Sequence, residues 1–316
     1  MNKLKEILFL KSVKGIGKAK IYKRYWHYLE KEIDIDELEK IVASEENGLI
    51  VRDISSAREK AEQLYEAIID DLNINIITAL DDNYPDKLKV MGDKRPLILY
   101  AKGNTKALNN PNIAVVGTRH PSEWSQKVET RLVKKILELS DRVVVSGLAL
   151  GCDKIAHETT VVEGKATIAV LPSGVNIVTP ASHKSLAKNI LETGGCLVSE
   201  YEPNVKASRS YFVERDAIVA ALSDITFVVE CDVKSGTMHT VDAASEYKRT
   251  LSCYYPPSIE MGGYAGNEFM IKNKKAVKVS DTEDLIKLFS SIKENNSEAQ
   301  QKEPQQLSFE DYLKNK

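Results

Sequence analysis

The amino-acid sequence predicts an α/β protein whose strands form a parallel sheet. Residues 1 to about 70 place apolar side chains at helical spacing between charged ones, and from about 74 short apolar runs alternate with amphipathic stretches. From about 291 the chain turns polar and rich in Glu, Gln, Lys and Asn. Strands separated by helices build parallel sheets, because a parallel neighbour is reached only through a crossover. At 316 residues the chain can hold two domains, or one large α/β domain with an appendage. The expected division is a helical domain over 1–73, the sheet domain over 74–290, and a flexible, disordered tail over 291–316.

Each element has its own justification. In the first segment Ile7, Leu10, Ile21, Tyr25 and Leu29 recur at helical spacing, and the pattern breaks at Gly15-Ile16-Gly17, a tight turn between two short helices. In the second, the runs 113–116, 143–145, 167–171, 196–198 and 225–229 are short, β-branched and apolar on both faces, like strands buried in a parallel sheet. Over 122–138, Trp124, Val128, Leu132 and Ile136 form an i, i+4 row behind a Ser122 cap, which predicts a helix. A doubly wound sheet of this kind places its ligand crevice beyond the carboxyl ends of its strands.

Composition excludes several classes. Hydrophobic residues make up 42% and charged ones 28%, with a mean hydropathy of -0.29, as in a soluble globular protein. With 44 Lys+Arg against 46 Asp+Glu, any affinity for nucleic acid has to come from a local patch. Cys152, Cys196, Cys231 and Cys253 form no CxxC pair and have no partner histidine spacing. That predicts a reducing, cytoplasmic setting without a metal site. The N-terminus has no signal-peptide pattern, and no window reaches the length of a membrane span.

Three strand ends carry small, polar, glycine-bearing turns: Gly117-Thr118-Arg119, Ser146-Gly147-Leu148-Ala149-Leu150-Gly151 and Ser235-Gly236-Thr237. Glycine admits a ligand close to the backbone, helix-start N–H groups attract anions, and a guanidinium grips a phosphate through two parallel hydrogen bonds. The same residues also serve tight connection and capping, so each turn alone has a purely architectural explanation. Their convergence at one sheet edge, with an arginine, predicts a phosphate site. No catalytic constellation accompanies them: Asp153 and His157 permit a structural pair without a nucleophile, and Glu200 and Glu230 follow strands with no evident role beyond orienting neighbours. No cofactor is expected.

Collinear motifs across residues 80 to 275 resemble the DNA-processing protein A (DprA/Smf) family. They begin with Tyr84-Pro85, Leu88 and Pro96 and continue through Gly117-Thr118-Arg119 and the run from Ser146 to Asp153. They end with Ser199-Glu200 and with Ser235-Gly236-Thr237 followed by Thr240, Ala244 and Arg249. The resemblance implies an extended Rossmann-like fold that forms a homodimer and binds single-stranded DNA in a positive pocket. It implies no catalysis, and delivery of the strand to a RecA-type recombinase during DNA uptake. Carried over by motif, Gly117, Thr118, Arg119, Ser146, Gly147, Arg215, Ser235, Gly236 and Thr237 would line the pocket, with Arg119 as the main phosphate anchor. Phe212 and Arg215 fit a Phe-x-x-Arg-Asn-Arg stretch whose last two residues are here Asp216 and Ala217, and the usually basic loop residue is Leu150. These departures bear on DNA binding more than on the fold, and they suit a diverged paralogue.

The turn at Gly15, Gly17 and Lys18 resembles a helix-hairpin-helix, a second candidate DNA contact through backbone N–H groups. Gln306-Leu307-Ser308-Phe309 in the tail loosely resembles peptides that dock on the bacterial sliding clamp. Two other functions remain open. One is a nucleotide-sensing, defence-associated protein of the same superfamily, which Asp216 and Ala217 favour. The other is a nucleoside-monophosphate phosphoribohydrolase, disfavoured because Ser235-Gly236-Thr237 has no carboxylate after it until Asp242. A nicotinamide-dependent dehydrogenase lacks its glycine fingerprint in the first turn.

Overall fold

The computed structural model describes residues 3–31, 33–46, 51–69, 73–258 and 263–301. Five strands stand where the apolar runs predict them: β3 (Asn112–Val116), β4 (Val143–Ser146), β5 (Thr167–Val170), β6 (Cys196–Ser199) and β7 (Ile225–Val228). All five are buried along their whole length. Four more escape the sequence pattern: β1 (Asn75–Thr78), β2 (Ile98–Gly103), β8 (Thr250–Tyr254) and β9 (Val277–Val279). The order across the sheet is β1-β2-β6-β5-β4-β3-β7-β8-β9. From β6 to β9 every pairing is parallel, but β1 with β2 and β2 with β6 are antiparallel. The sheet is therefore mostly parallel, with an antiparallel extension. The cause is connectivity: β2 passes to β3 through a short 3-10 turn, Thr105–Asn109, in place of a crossover helix.

Alternate residues of the same strands face two cores. Ala114, Val116, Val145, Val170 and Val228 pack against α9 (Arg209–Leu222) and α10 (Thr237–Glu246). Ile113, Val115, Val144 and Phe227 pack against α6 (Glu123–Leu139), α7 (Cys152–Val162) and α12 (Thr282–Gln301). On that second face, toward β5 and β6, the core passes from α8 (Lys184–Glu192) into the N-terminal helices. These are α1 (Leu4–Ser12), α2 (Lys18–Lys20), α3 (Trp26–Leu29), α4 (Ile35–Glu45) and α5 (Val51–Ile69), with a π turn at Ile21–Tyr25. Leu8, Ile21 and Leu38 share one buried cluster with Tyr100, Leu171 and Leu197 of the sheet. A short α11 (Ala265–Phe269) precedes β9.

Two local expectations change. In α6 the Ser122 hydroxyl accepts from Ser125 N at 3.2 Å, as a cap should. The buried stripe, however, is Ser125, Glu129, Leu132, Val133 and Ile136, which leaves Trp124 at 40% exposure. Helix α12 runs to Gln301 and so takes in the first eleven residues of the segment expected to be polar linker from 291. The Gln306–Phe309 motif lies outside the described residues. Among those residues no helix is long and apolar enough to cross a membrane.

Candidate functional site

The strand order reverses beside β3: the chain lays β4, β5 and β6 on one side, then returns through α9 to place β7 on the other. Loops at the carboxyl ends of strands flanking such a point diverge and leave a crevice. Here it is a cleft of about 680 Å³. Its walls are the turns after β3 and β4, the start of α9, and the turn that opens α10.

Close approach fixes two of the glycines. A Cβ on Gly117 would stand 2.5 Å from the Cys152 sulfur, and one on Gly147 would lie 1.2 Å from Nη1 of Arg215. Gly236 has open space around it, so only its position in the turn explains it. Thr118 N donates to the Glu230 carbonyl at 2.8 Å and Cys152 N to the Thr118 carbonyl at 3.1 Å, which ties the first turn to the strand β7 exit and to α7. Asp153 Oδ2 accepts from Gly147 N at 3.1 Å and Ala149 N at 3.2 Å, folding the second turn over the start of α7. Ser235 Oγ accepts from Thr237 N at 3.2 Å within the turn that leads into α10. Ser208, the N-cap of α9, makes no side-chain cap to the helix's first N–H groups, and Ser208 and Arg209 line the cleft.

Of the residues expected from the sequence, Gly117, Thr118, Arg119, Gly147, Arg215, Ser235, Gly236 and Thr237 line this cleft together. Ser146 does not: it is fully buried and its hydroxyl donates to the Val115 carbonyl at 2.8 Å. Arg119 is exposed at the rim, its guanidinium 5.3 Å from the centre of the Phe212 ring, with no ion-pair partner among the described residues. Arg215 differs: at 3% exposure it lies behind Gly147, with Nε 3.0 Å from Asp216 and Nη1 3.7 Å from Asp153. Burial pushes the Asp216 carboxyl up to about 6, against the pull of Arg215.

Ala217 faces away, into a trough between α9, α10 and the N-terminal hairpin, so only Asp216 of the two departures bears on the cleft. Leu150 lies between α7 and α8. Glu200, expected near the crevice, is in the trough, 2.5 Å from Lys18 Nζ. The Glu230 carboxylate instead accepts from Ser122 N at 2.9 Å and its hydroxyl at 3.0 Å. Asp153 and His157 do not pair: His157 Nδ1 meets the Thr167 hydroxyl at 2.8 Å, and burial holds its imidazole neutral, down to about 3.

The structure adds Arg209, His120 and His239, all exposed and all lining the cleft. Arg209 was legible as the residue three before Phe212 and six before Arg215, one face of a helix. At the hairpin, Gly15 takes φ +85 with open space around it; of the five cations around it Lys18, Lys20, Lys23 and Arg24 are in ion pairs, while the exposed Lys14 has no ion-pair partner among the described residues. Free guanidinium groups, uncapped helix N–H donors and an aromatic face at one cleft suit a phosphodiester with an unpaired base.

The sequence and the fold have known relatives. Residues 75–290 match the model of the DNA recombination-mediator protein A family. Protein Smf of Escherichia coli is 32% identical over 267 residues, 83% of this chain and 69% of that protein. The crystal structure of DNA processing protein A from Streptococcus pneumoniae superposes with a TM-score of 0.74 at 28% identity, covering 89% of this chain and 96% of that one. DNA processing protein A from Helicobacter pylori, whose structure is described for its single-stranded DNA binding mode, gives 0.59 at 27% identity over 70% of this chain and 97% of that one. The chain therefore belongs to the DNA recombination-mediator protein A family, the DprA/Smf proteins.

Proposed function

We propose that the cleft binds single-stranded DNA and that the protein acts as a cytoplasmic, dimeric recombination mediator, passing the strand to a RecA-type recombinase without catalysing a reaction. The observation that carries this reading is Arg119: an exposed guanidinium with no carboxylate partner among the described residues, standing over the Phe212 ring where the glycine turns converge. Guanidinium and ring together suit a phosphate and the base beside it, and such stacking tolerates any base. The Smf and DprA relatives support it, the Helicobacter protein through its described binding mode.

Within that site each residue has a task that follows from its position. Arg119 and Arg209 attract phosphates at the rim. Gly117 and Gly147 let the two turns pack closely on Cys152 and Arg215, since any side chain there would collide with them. Arg215 and Asp153 hold the Gly147 turn in shape from behind. As for enzymatic activity, Asp242 points to the trough and pairs with Lys274 at 3.0 Å, so it does not supply the acid a phosphoribohydrolase needs in the cleft.

A second reading, a small-nucleotide sensor, is favoured by Asp216: a carboxylate in the wall discourages a long polyanion more than a single nucleotide. Titrating a labelled oligo-dT strand against salt, with duplex as competitor, separates the two. Salt-sensitive binding that prefers the single strand supports the mediator, with a log–log slope of about −0.7 per phosphate contacted. Failure to bind at low salt overturns it and leaves the sensor.

A further inference from the structure

The cleft opens onto two flanks of opposite character. The trough shares Val213 and His239 with the cleft and carries Glu200, Glu214, Asp242 and Glu246 around Met91 and Ala243. Lys18 and Lys94 also line it but are paired with Glu200 and Glu246, as Asp242 is with Lys274, so a strand leaving that way would meet no lysine or arginine free of a carboxylate. The other flank is α6, which starts at the rim: His120 lines the cleft and Ser122 caps the helix two residues later.

Along the outer face of α6 stand Trp124, Lys127 and Arg131, spaced i, i+3 and i+7 and so aligned in one stripe. Trp124 is 40% exposed. Lys127 and Arg131 are exposed and have no ion-pair partner among the described residues. Packing does not explain the stripe, because α6 buries Ser125, Glu129, Leu132, Val133 and Ile136 instead. Beyond it the cations are engaged: Lys134 pairs with Glu163 at 2.7 Å and Lys135 with Glu138. Glu129, between Lys127 and Arg131 in sequence, is buried on the opposite, core-facing side, and Glu123 stands in the first turn.

We infer that this stripe is an accessory nucleic-acid track: the strand held at Arg119 leaves the cleft over His120 and follows α6, stacking a base on Trp124 and placing phosphates at Lys127 and Arg131. The inference rests on the single-strand reading of the cleft. Its occupant is the continuation of the same strand, chosen by continuity with the cleft rim and by charge. From Glu123 to Arg131 the helix rises about 12 Å. At about 3.4 Å per stacked nucleotide that is room for at most about four.

The test uses the full-length chain carrying Trp26→Phe, which leaves Trp124 as the single tryptophan of two. Oligo-dT of about four and about fifteen nucleotides is titrated while fluorescence and affinity are read. The expected result is quenching by the longer strand. The variant Lys127→Glu with Arg131→Glu, both surface changes, should weaken the longer strand at least about five-fold and lower its salt slope by about 1.4, sparing the shorter one. If the longer strand binds, depends on Arg119, yet neither quenches Trp124 nor responds to the double reversal, the track is overturned and the cleft reading stands. If neither strand binds, both readings fall together.

Discussion

The hairpin at Gly15 and the cleft at Gly147 both combine glycine turns with cations, and they differ in what those cations do. At the hairpin Lys18 faces Glu200, Lys20 faces Glu46, Lys23 faces Asp93 and Arg24 faces Glu45, which leaves Lys14 as the one cation of the five with no ion-pair partner among the described residues. At the cleft Arg119 and Arg209 have no ion-pair partner among the described residues, and the arginine that does meet carboxylates, Arg215, is buried within the wall. A cation already paired gains little from a new anion, because the old partner must be given up. The count of lysines near a turn is therefore a poor guide to its charge, and their pairing is a better one.

The contrast can be broken at several points. The largest effect is expected for Gly147→Ala. Its Cβ, 1.2 Å from Nη1, displaces Arg215 from Asp153, and breaking a buried pair costs about 3–5 kcal/mol. Thermal melting and strand binding should both suffer. Gly15→Ala meets open space and pays only for its left-handed backbone, about 1 kcal/mol. Equal losses from the two would erase the distinction.

Arg119→Ala is expected to weaken oligo-dT binding by about 1–3 kcal/mol at unchanged melting temperature. Anisotropy with a labelled strand reads it directly, and full affinity in a folded variant removes Arg119 from the site.

Asp216 sharpens the comparison through pH. Burial raises its carboxyl from 3.8 to about 6, Asp153 adds to the rise, and Arg215, His239 and Arg119 oppose it. The folded state thus favours the protonated form. That contribution to stability is present at pH 4 and lost as the pH rises through about 6. Asp216→Asn should flatten this part of a stability–pH curve. It should also tighten strand binding at pH 8 by about 1 kcal/mol, roughly five-fold, with the gain shrinking toward pH 5 as the native carboxyl protonates.

The smallest effect belongs to Lys18→Ala. A partly exposed pair such as Lys18–Glu200 contributes about 0–1 kcal/mol, and strand affinity should stay within about two-fold. A ten-fold loss would place the hairpin on the DNA and end the contrast.

Periodicity in the sequence was enough for the five central strands and for α6, because a run buried on both faces leaves few other conformations for apolar residues. It was not enough for β1, β2, β8 and β9. Val277 in the three-residue β9 is 41% exposed, and the buried apolar run Ile98–Ala101 of β2 breaks off at a half-covered lysine and a glycine with no amphipathic helix after it. Trp124 misled for the opposite reason: it continues an i, i+4 row whose buried side is in fact set by Glu129 and Val133 one residue over.

By itself the sequence determined the sheet's centre, the glycine turns that meet at one edge, and the family through motifs in fixed order. Those are properties of neighbours along the chain, and of residue types that local sterics and burial constrain. Only the tertiary structure decided which charges are free. Arg119 and Arg215 are both arginines of the same motif set, yet one stands at a rim and the other between Asp153 and Asp216. Availability of a charge depends on partners far away in sequence, which come within reach only when the sheet has brought their loops together.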